Sequence, residues 1–357
     1  MKRVLAALVL AALTAPPALA GKKPPAPVPA EKPAEPAIRV GYFLNVTHAQ
    51  ALIGRQDGWF EARVPAPIEW KSFNAGPSAM EALLAGALDL AYVGPSPAIN
   101  VYVRSQGQAV RIVAGAANGG ASLIVRTGAG ISTPADFRGK KVAAPELGNT
   151  QDVALRHWLK ANTLAPRAQG GEVDVLAVKN ADILALFQTG ALDAAWVPEP
   201  WATRLIHEGN GELFLDERTL WPDGRFPTVV LVARAAYLRE HRDLVRQFVQ
   251  AHADLTRWIV ARPEEAQKLL NKGLEQWLGQ PLPTTVLAEA FGRIRVTAEL
   301  PKDALIASAA QAWELGYLPG DAAPDVSGSL DAVLEEPPAA SPSPVPSPVP
   351  SPAEAQH

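Results

Sequence analysis

Apolar and polar positions along the chain follow two periods, one typical of buried strands and one typical of amphipathic helices. Short apolar runs such as Ile68–Phe73 and Lys141–Ala144 are flanked by turn-forming residues and predict strands. Longer stretches such as Gln151–Ala161 have the apolar spacing of a helix that buries one face. Strands separated by helices in this rhythm predict parallel sheet flanked by helices, and therefore an α/β fold.

The same criteria predict an ordered series of elements between Ile38 and about Pro319. The predicted strands are Ile38–Tyr42, Ile68–Phe73, Leu88–Val93, Val110–Ala116, Leu123–Val125, Lys141–Ala144, Val173–Val178, Leu192–Val197 and Thr228–Val232. The predicted helices are His48–Gln56, Ala79–Leu84, Ala98–Gln106, Gln151–Ala161, Ala181–Gln188 and Trp201–Glu208. From Ala235 to about Leu318, amphipathic helical patterns dominate.

One octapeptide occurs twice in this series. Gly86–Val93 reads GALDLAYV and Gly190–Val197 reads GALDAAWV, so that six positions are identical and one more keeps an aromatic ring. In each copy, glycine suits the left-handed residue that closes a helix, and a buried strand follows. Two similar α/β units facing each other predict a two-lobed binding cleft. Chance similarity between two βα elements of one sheet is the alternative.

The order of the elements predicts how the chain divides. Lobe 1 is expected to comprise residues 38–127 and 229–320, and lobe 2 residues 128–228, with C-terminal helices returning to lobe 1. The two crossings between the lobes are natural hinges.

The ends of the chain have other patterns. Residues 1–20 combine Lys2 and Arg3, a short apolar run and Ala18-Leu19-Ala20, the layout of a cleaved secretory signal peptide, although an uncleaved anchor is the alternative. Residues 21–37 and 321–357 are rich in Pro, Ala and Ser, which predicts a disordered linker and a disordered tail. The tail is either an inert spacer or a docking strip. We therefore expect a secreted, periplasmic protein.

Composition narrows the possible functions. The chain has no cysteine, which excludes disulfides, thiolate nucleophiles and thiolate metal sites. The 33 Lys and Arg residues are balanced by 36 Asp and Glu residues, which argues against nucleic-acid binding. An anion site must therefore be local, built from a few donors.

The loops that follow strands supply the candidate donors, because parallel α/β sheets bind ligands at the carboxyl ends of their strands. The first such loop contains Thr47 and His48, which are either ligand contacts or a helix cap and a solvated side chain. Ser96 lies between two prolines in a stiff loop, and Asn118 precedes two glycines that allow close backbone approach or form a hinge.

Gly148–Gln151 is the strongest anion candidate in the sequence. It joins a strand to a long helix and offers Asn149, Thr150 and Gln151 together with a helix N-terminus, although a plain helix cap is the alternative. Glu199 and Trp201 follow the second octapeptide and are candidates to receive an amino group or an apolar tail, or merely to pack locally.

No motif of catalysis accompanies these candidates. The six histidines lack metal-ligand spacing, and the chain has no Gly-x-Ser-x-Gly elbow and no glycine-rich phosphate loop. We therefore predict a protein that is not an enzyme, with no catalytic residue, no metal and no cofactor.

Taken in order, these segments resemble the substrate-binding proteins of the nitrate/aliphatic sulfonate/taurine ABC importers. The resemblance covers about residues 38–318. The matching segments are Gly41–His48, Ala82–Pro97, Ile131–Lys141, Asn149–Leu155 and Ala191–Trp201. Relatives often have a Gly-Ser-Thr-like helix start where this chain has Gly148-Asn149-Thr150, and the proline-rich tail lies outside the family pattern.

The resemblance implies a type II periplasmic-binding-protein-like α/β fold, with two lobes joined by a two-strand hinge and followed by C-terminal helices. It implies a monomer that delivers a small anionic or zwitterionic solute to a permease and its ATPase in the inner membrane. By position, the cleft would be lined by Thr47, His48, Ser96, Asn118, Asn149, Thr150, Glu199 and Trp201. The alternatives are a ligand-presenting sensor for a membrane kinase and a binder of a thiamine-pyrimidine precursor.

Overall fold

The computed structural model describes residues 37–334, which form eleven strands and eleven α-helices. The strands are β1 Ile38–Phe43, β2 Ile68–Phe73, β3 Leu90–Val93, β4 Val110–Gly119, β5 Ala121–Arg126, β6 Lys141–Ala144, β7 Asp174–Ala177, β8 Ala194–Pro198, β9 Gly211–Asp216, β10 Pro227–Arg234 and β11 Ile294–Val296. The helices are α1 Ala49–Asp57, α2 Gly76–Leu84, α3 Pro95–Arg104, α4 Thr150–Ala161, α5 Asn180–Gln188, α6 Trp201–Glu208, α7 Ala235–Glu240, α8 Arg242–Ala261, α9 Pro263–Leu278, α10 Thr284–Gly292 and α11 Lys302–Glu314.

These strands form two sheets, which confirms the predicted α/β class. The first sheet has the order β11-β4-β10-β3-β1-β2, and the second has the order β7-β6-β8-β5-β9. In each sheet one strand, β3 in the first and β8 in the second, runs parallel to one neighbour and antiparallel to the other. Buried apolar side chains pack against both sheets, because helices cover them.

The chain passes from the first sheet to the second before residue 121, earlier than the predicted boundary between the lobes at residue 127. Residues 121–126 were assigned to lobe 1, whereas β5 pairs with β8 and β9 of the second sheet. The physical reason lies at Gly119 and Gly120, which both have a φ of +74° and turn the chain before β5 begins. Two strands, β9 and β11, were not predicted at all.

The two copies of the octapeptide have equivalent positions in the two sheets. Val40 pairs with Leu90 in the first sheet as Val142 pairs with Ala194 in the second. In both copies the glycine that closes the preceding helix has a positive φ, as predicted, with +71° at Gly86 and +73° at Gly190. The repeat is therefore an internal structural duplication, with β1-β3-β10 matched by β6-β8-β5.

The aromatic position of the repeat packs a ring against a buried ionisable group in each sheet. The Tyr92 hydroxyl lies 2.9 Å from His252 Nδ1. The Trp196 indole donates to Glu217 Oε2 at 2.8 Å. Burial raises the pKa of Glu217 to about 8, although hydrogen bonds from Trp196 and Trp221 oppose the shift. Glu217 is therefore protonated in the folded protein near neutral pH.

Replacing Glu217 with glutamine should remove a pH dependence of stability. Because the folded pKa of Glu217 is near 8 and its ordinary value is 4.5, the unfolded chain loses the proton first as the pH rises. The free energy of unfolding of the wild type should therefore fall between about pH 5 and pH 8, relative to that of Glu217→Gln. Urea titrations of both proteins across this range measure the difference, and parallel curves would contradict it.

Residues 321–334, which were predicted to belong to a disordered tail, are ordered. Residues 321–334 pack onto the first sheet, where Val326 and Val333 are buried and Asp331 forms an ion pair with Arg242 at 2.9 Å. A short 3-10 helix, Ser327–Ser329, lies between these contacts. The apolar side chains that anchor this segment are sparse in a stretch rich in Gly, Ser, Pro and Asp, so its composition alone predicted disorder.

The predicted signal peptide, almost all of the predicted linker and the proline-rich end of the tail lie outside the described residues. Within residues 37–334, no helix combines the length and apolar character needed to cross a membrane.

Candidate functional site

A small cavity lies where the carboxyl ends of strands from both sheets meet. Its volume is about 20 Å³, room for about one water molecule. We call it the cleft cavity. It is lined by Phe43, Thr47, His48, Asn74, Ala75, Gly76, Gly94, Pro97, Pro145, Asn149, Thr150, Gln151, Pro198, Thr228 and Val229. This is the strand edge at which open α/β sheets bind ligands.

Two threonine hydroxyls reach the cleft cavity from opposite sheets. Thr47 follows β1 of the first sheet, and Thr150 begins α4 of the second. Thr47 is 1% exposed and Thr150 is 8% exposed, and neither Oγ1 has a hydrogen-bond partner in the described part of the chain. Since buried hydroxyls are nearly always paired, both are suited to receive a ligand atom.

The internal duplication relates the two loops that carry these hydroxyls. Because β1 and β6 have the same register to β3 and β8, the loops after β1 and β6 are equivalent. Thr47 and His48 in the first loop correspond to Asn149 and Thr150 in the second. Each sheet therefore contributes a similar pair of polar residues to the cleft cavity.

His48 is a neutral hydrogen-bond donor in this site. Its Nδ1 accepts from the Phe43 backbone N–H at 3.2 Å. We therefore assign the ring proton to Nε2. Burial lowers the pKa of His48 to about 3, so the ring stays uncharged at neutral pH.

The start of α4 supplies donors from the second sheet. Asn149 caps the helix, because its Oδ1 accepts from the Asp152 backbone N–H at 2.8 Å. Its amide nitrogen donates to Gln151 Oε1 at 3.2 Å, which orients Gln151 in the cavity lining. The positive end of the helix dipole favours an anion here. The cap interpretation thus holds for Asn149, while the Thr150 hydroxyl has no hydrogen-bond partner among the described residues.

The cleft cavity has polar groups but no formal charge in its lining. No Asp, Glu, Lys or Arg is among its lining residues, and His48 is neutral. Hydroxyls, amides, an imidazole N–H and a helix N-terminus are donors to oxygen atoms. This arrangement suits a small anion that accepts hydrogen bonds, and it offers no carboxylate to an ammonium group.

Glu199 and Trp201 lie beside the cleft cavity but make other contacts. The Glu199 carboxylate receives hydrogen bonds from Arg293 at 3.2 Å and from the Thr203 backbone at 3.1 Å. Burial raises the pKa of Glu199, and these two partners counteract only part of the shift. The Trp201 indole donates to Asn45 Oδ1 at 3.0 Å. These side chains therefore link the two sheets and do not line the cavity.

The two remaining candidates also lie outside the lining. Ser96 is buried in the first turn of α3, between the lining residues Gly94 and Pro97, but is not itself part of the lining. Asn118 lines a separate cavity of about 470 Å³ beside Arg218 and Arg225, where the chain crosses between the sheets. Asn118 lies in β4, which β10 separates from β3, and it pairs with Arg295 of β11. The sheet order therefore places it away from the cleft cavity.

Several lining residues were missed from the sequence. Asn74, Ala75 and Gly76 follow β2, and the strand-end rule that identified Thr47 would also have found them. Thr228 and Val229 come from the antiparallel strand β10, for which no such rule exists. The other missed residues are apolar or lack a side chain: Phe43, Gly94, Pro97, Pro145 and Pro198.

Direct contacts between the two sides hold the cleft nearly closed. The Tyr317 hydroxyl donates to Asp152 Oδ2 at 2.5 Å, and Lys160 donates to the Glu314 backbone carbonyl at 3.0 Å. Burial, together with the Asp152 carboxylate, raises the pKa of Tyr317 well above its ordinary value. Because the cleft cavity has room for about one water molecule, a larger solute must enter before the cleft closes fully.

Comparisons with known proteins agree with this arrangement. The sequence model of the NMT1-like family matches residues 31–272. The taurine-binding periplasmic protein of Escherichia coli (strain K12) is 25% identical over 259 residues, which cover 72% of this chain and 74% of that protein.

Two solved structures have the same overall architecture. The alkanesulfonate-binding protein SsuA from Xanthomonas axonopodis pv. citri, bound to MOPS, superimposes with a TM-score of 0.69 and 23% identity, covering 84% of this chain and 99% of that one. The periplasmic nitrate-binding protein NrtA from Synechocystis PCC 6803 superimposes with a TM-score of 0.65 and 18% identity, covering 82% of this chain and 84% of that one. At these identities the likeness establishes the fold, which is that of the periplasmic binding proteins, as the sequence predicted.

Proposed function

The chain belongs to the NMT1-like family, and we propose that it is the periplasmic solute-binding component of an ABC importer for a small oxyanion. The observation that carries the proposal is the pair of unpartnered, buried hydroxyls of Thr47 and Thr150, which approach the cleft cavity from opposite sheets. A sulfonate or nitrate group accepts hydrogen bonds from both at once. The relatives that bind taurine, alkanesulfonate and nitrate support this class of solute.

Capture follows from contacts that only the closed form provides. A solute that accepts hydrogen bonds from both sheets binds the closed cleft more tightly than the open one, so it shifts the population toward closure. The permease in the inner membrane, with its ATPase, would then recognise the closed form. Without solute, two buried hydroxyls stay unpaired, which costs free energy in the closed form.

The site is built for binding and not for catalysis. His48 cannot act as a general base toward a bound solute, because its Nδ1 is occupied by the Phe43 N–H and its Nε2 carries the proton. Its low pKa has the same consequence. The hydrogen-bond donors of the lining hold an anion without activating a nucleophile, and the relatives described above are binding proteins.

Thermal melts with a panel of solutes test the proposal. We expect nitrate, methanesulfonate, ethanesulfonate or taurine to raise the melting temperature, since a solute at about 100 times its Kd adds roughly 2.7 kcal/mol. A panel in which no member shifts the melt would contradict the proposal.

Replacing Thr150 with valine should weaken the binding of the solute found in this way by about tenfold or more. The substitution keeps the shape and removes one hydrogen bond to a charged group. Thr284→Val is the matched control, because Thr284 is also the first residue of a helix but is exposed. Titration calorimetry compares both variants with the wild type, and equal affinity in all three would remove Thr150 from the site.

A further inference from the structure

Gly94 is the point of closest approach between the two sides of the cleft cavity. It follows β3 of the first sheet, and the Thr150 side chain from the second sheet lies directly against its Cα. A Cβ atom at position 94 would overlap Thr150 Oγ1 and lie 3.1 Å from Thr150 Cβ. An ordinary carbon–carbon contact is about 3.5–4.0 Å. The closed arrangement therefore leaves no space for a side chain at this position.

The backbone does not require glycine here. Gly94 has a φ of −67° and a ψ of 154°, which any L-residue adopts without strain. Alanine would therefore leave the fold of the first sheet unchanged. The only overlap is with Thr150, across the cleft. The Thr228 carbonyl belongs to β10 of the same sheet as Gly94 and would lie at an ordinary distance of 3.5 Å.

We propose that Gly94 is a positioning residue that sets how far the cleft closes, and thereby how small an anion can contact both threonine hydroxyls. With no side chain at position 94, α4 can advance until the cleft cavity shrinks to about 20 Å³. A methyl group there holds α4 back, so a compact oxyanion no longer reaches Thr47 and Thr150 together. The effect on affinity rests on the proposed function; the effect on closure does not.

A distance measurement across the cleft tests the closure directly. The chain contains no cysteine, so Leu84→Cys and Leu147→Cys introduce a unique pair of spin-label sites on the two sides. Both leucines are exposed, by 53% and 59%. We expect the Gly94→Ala variant to shift the distance distribution toward longer values, with and without nitrate. A distribution equal to that of the wild type, for example because Thr150 simply rotates, would overturn the proposal.

Three further variants test whether contact with Thr150 causes the longer distances in Gly94→Ala. Gly292→Ala is the control, because a Cβ there meets nothing within 4 Å. Combining Gly94→Ala with Thr150→Ala removes the overlapping hydroxyl and should restore most of the short distances. Combining it with Thr150→Ser keeps the Oγ atom and should not. Recovery with serine as complete as with alanine would contradict a steric role for Oγ1.

Affinities separate this proposal from the proposed function. Gly94→Ala should weaken nitrate binding by about tenfold or more and ethanesulfonate binding by less. Equal losses of affinity for the two anions would overturn the proposal that Gly94 selects anions by size. If no anion binds even the wild type, the proposed function fails, whereas longer distances in Gly94→Ala would still support the role of Gly94 in closure.

Discussion

Replacing Gln151 with glutamate is expected to lower the affinity for a bound oxyanion by roughly a thousandfold. Gln151 is buried in the lining of the cleft cavity, and glutamate has nearly the same shape. A carboxylate about 4 Å from the anion costs about 4 kcal/mol at an effective dielectric constant of 20, roughly three decades in Kd. The neutral lining offers no cation to reduce this repulsion.

Titration calorimetry at pH 8 measures the effect, and Gln188→Glu provides the matched control. Gln188 ends α5 on the exposed surface, so the same charge there should leave the affinity unchanged. Because a buried carboxyl beside an anion tends to take up a proton, the affinity of Gln151→Glu should recover as the pH is lowered. Undiminished binding at pH 8 would exclude Gln151 from the solute site.

Replacing Asp89 with alanine should destabilise the protein by about 3 kcal/mol, the cost of removing one partner of a buried ion pair. Asp89 belongs to the first copy of the repeat, and its side chain is 1% exposed. It accepts from the Arg39 backbone at 3.0 Å and from the side chains of Arg39 and Arg234 at 2.7–3.0 Å. It thereby ties β1, β3 and β10 together.

The second copy of the repeat supplies the control for this substitution. Asp193 accepts from the Lys141 backbone at 3.0 Å and from the Arg126 side chain at 3.4 Å. Arg126 is its one arginine partner among the described residues, and the Asp193 side chain is 22% exposed. Asp193→Ala should therefore cost only about 1 kcal/mol. Urea denaturation compares the two variants. Equal losses of unfolding free energy would mean that neither burial nor the second arginine partner distinguishes the two aspartates.

The contribution of Asp89 should also depend on pH. Burial alone would raise its pKa, but hydrogen bonds from Arg39 and Arg234 outweigh burial and hold the pKa below its ordinary value. The stabilisation is therefore present above the ordinary pKa near 3.8 and is lost as the pH falls through the folded value. The difference in stability between wild type and Asp89→Ala should shrink in acid.

Local patterns identified the repeat and five of the fifteen residues that line the cleft cavity. The octapeptide predicted two equivalent units because helix-closing glycines and buried strands are encoded by neighbouring residues. Thr47, His48, Asn149, Thr150 and Gln151 were found because they follow strands, and strand ends meet at one edge of a sheet.

Glu199, Trp201 and Asn118 show what such patterns miss. Glu199 meets Arg293 and Trp201 meets Asn45, partners that are distant in sequence, so their polar groups are already satisfied. Asn118 lies away from the cleft cavity because β10 separates its strand, β4, from β3. Whether a polar side chain remains unpaired, and therefore available to a ligand, depends on which residues pack against it in the folded protein.

The α/β class, the internal duplication and the loops that supply donors could be read from the sequence, because these depend on residues a few positions apart. Which of those loops face each other, which donors remain unpaired and how closely Thr150 approaches Gly94 became visible only in the folded chain. These features depend on contacts between the two sheets, where a single missing methyl group or a remote arginine changes the result.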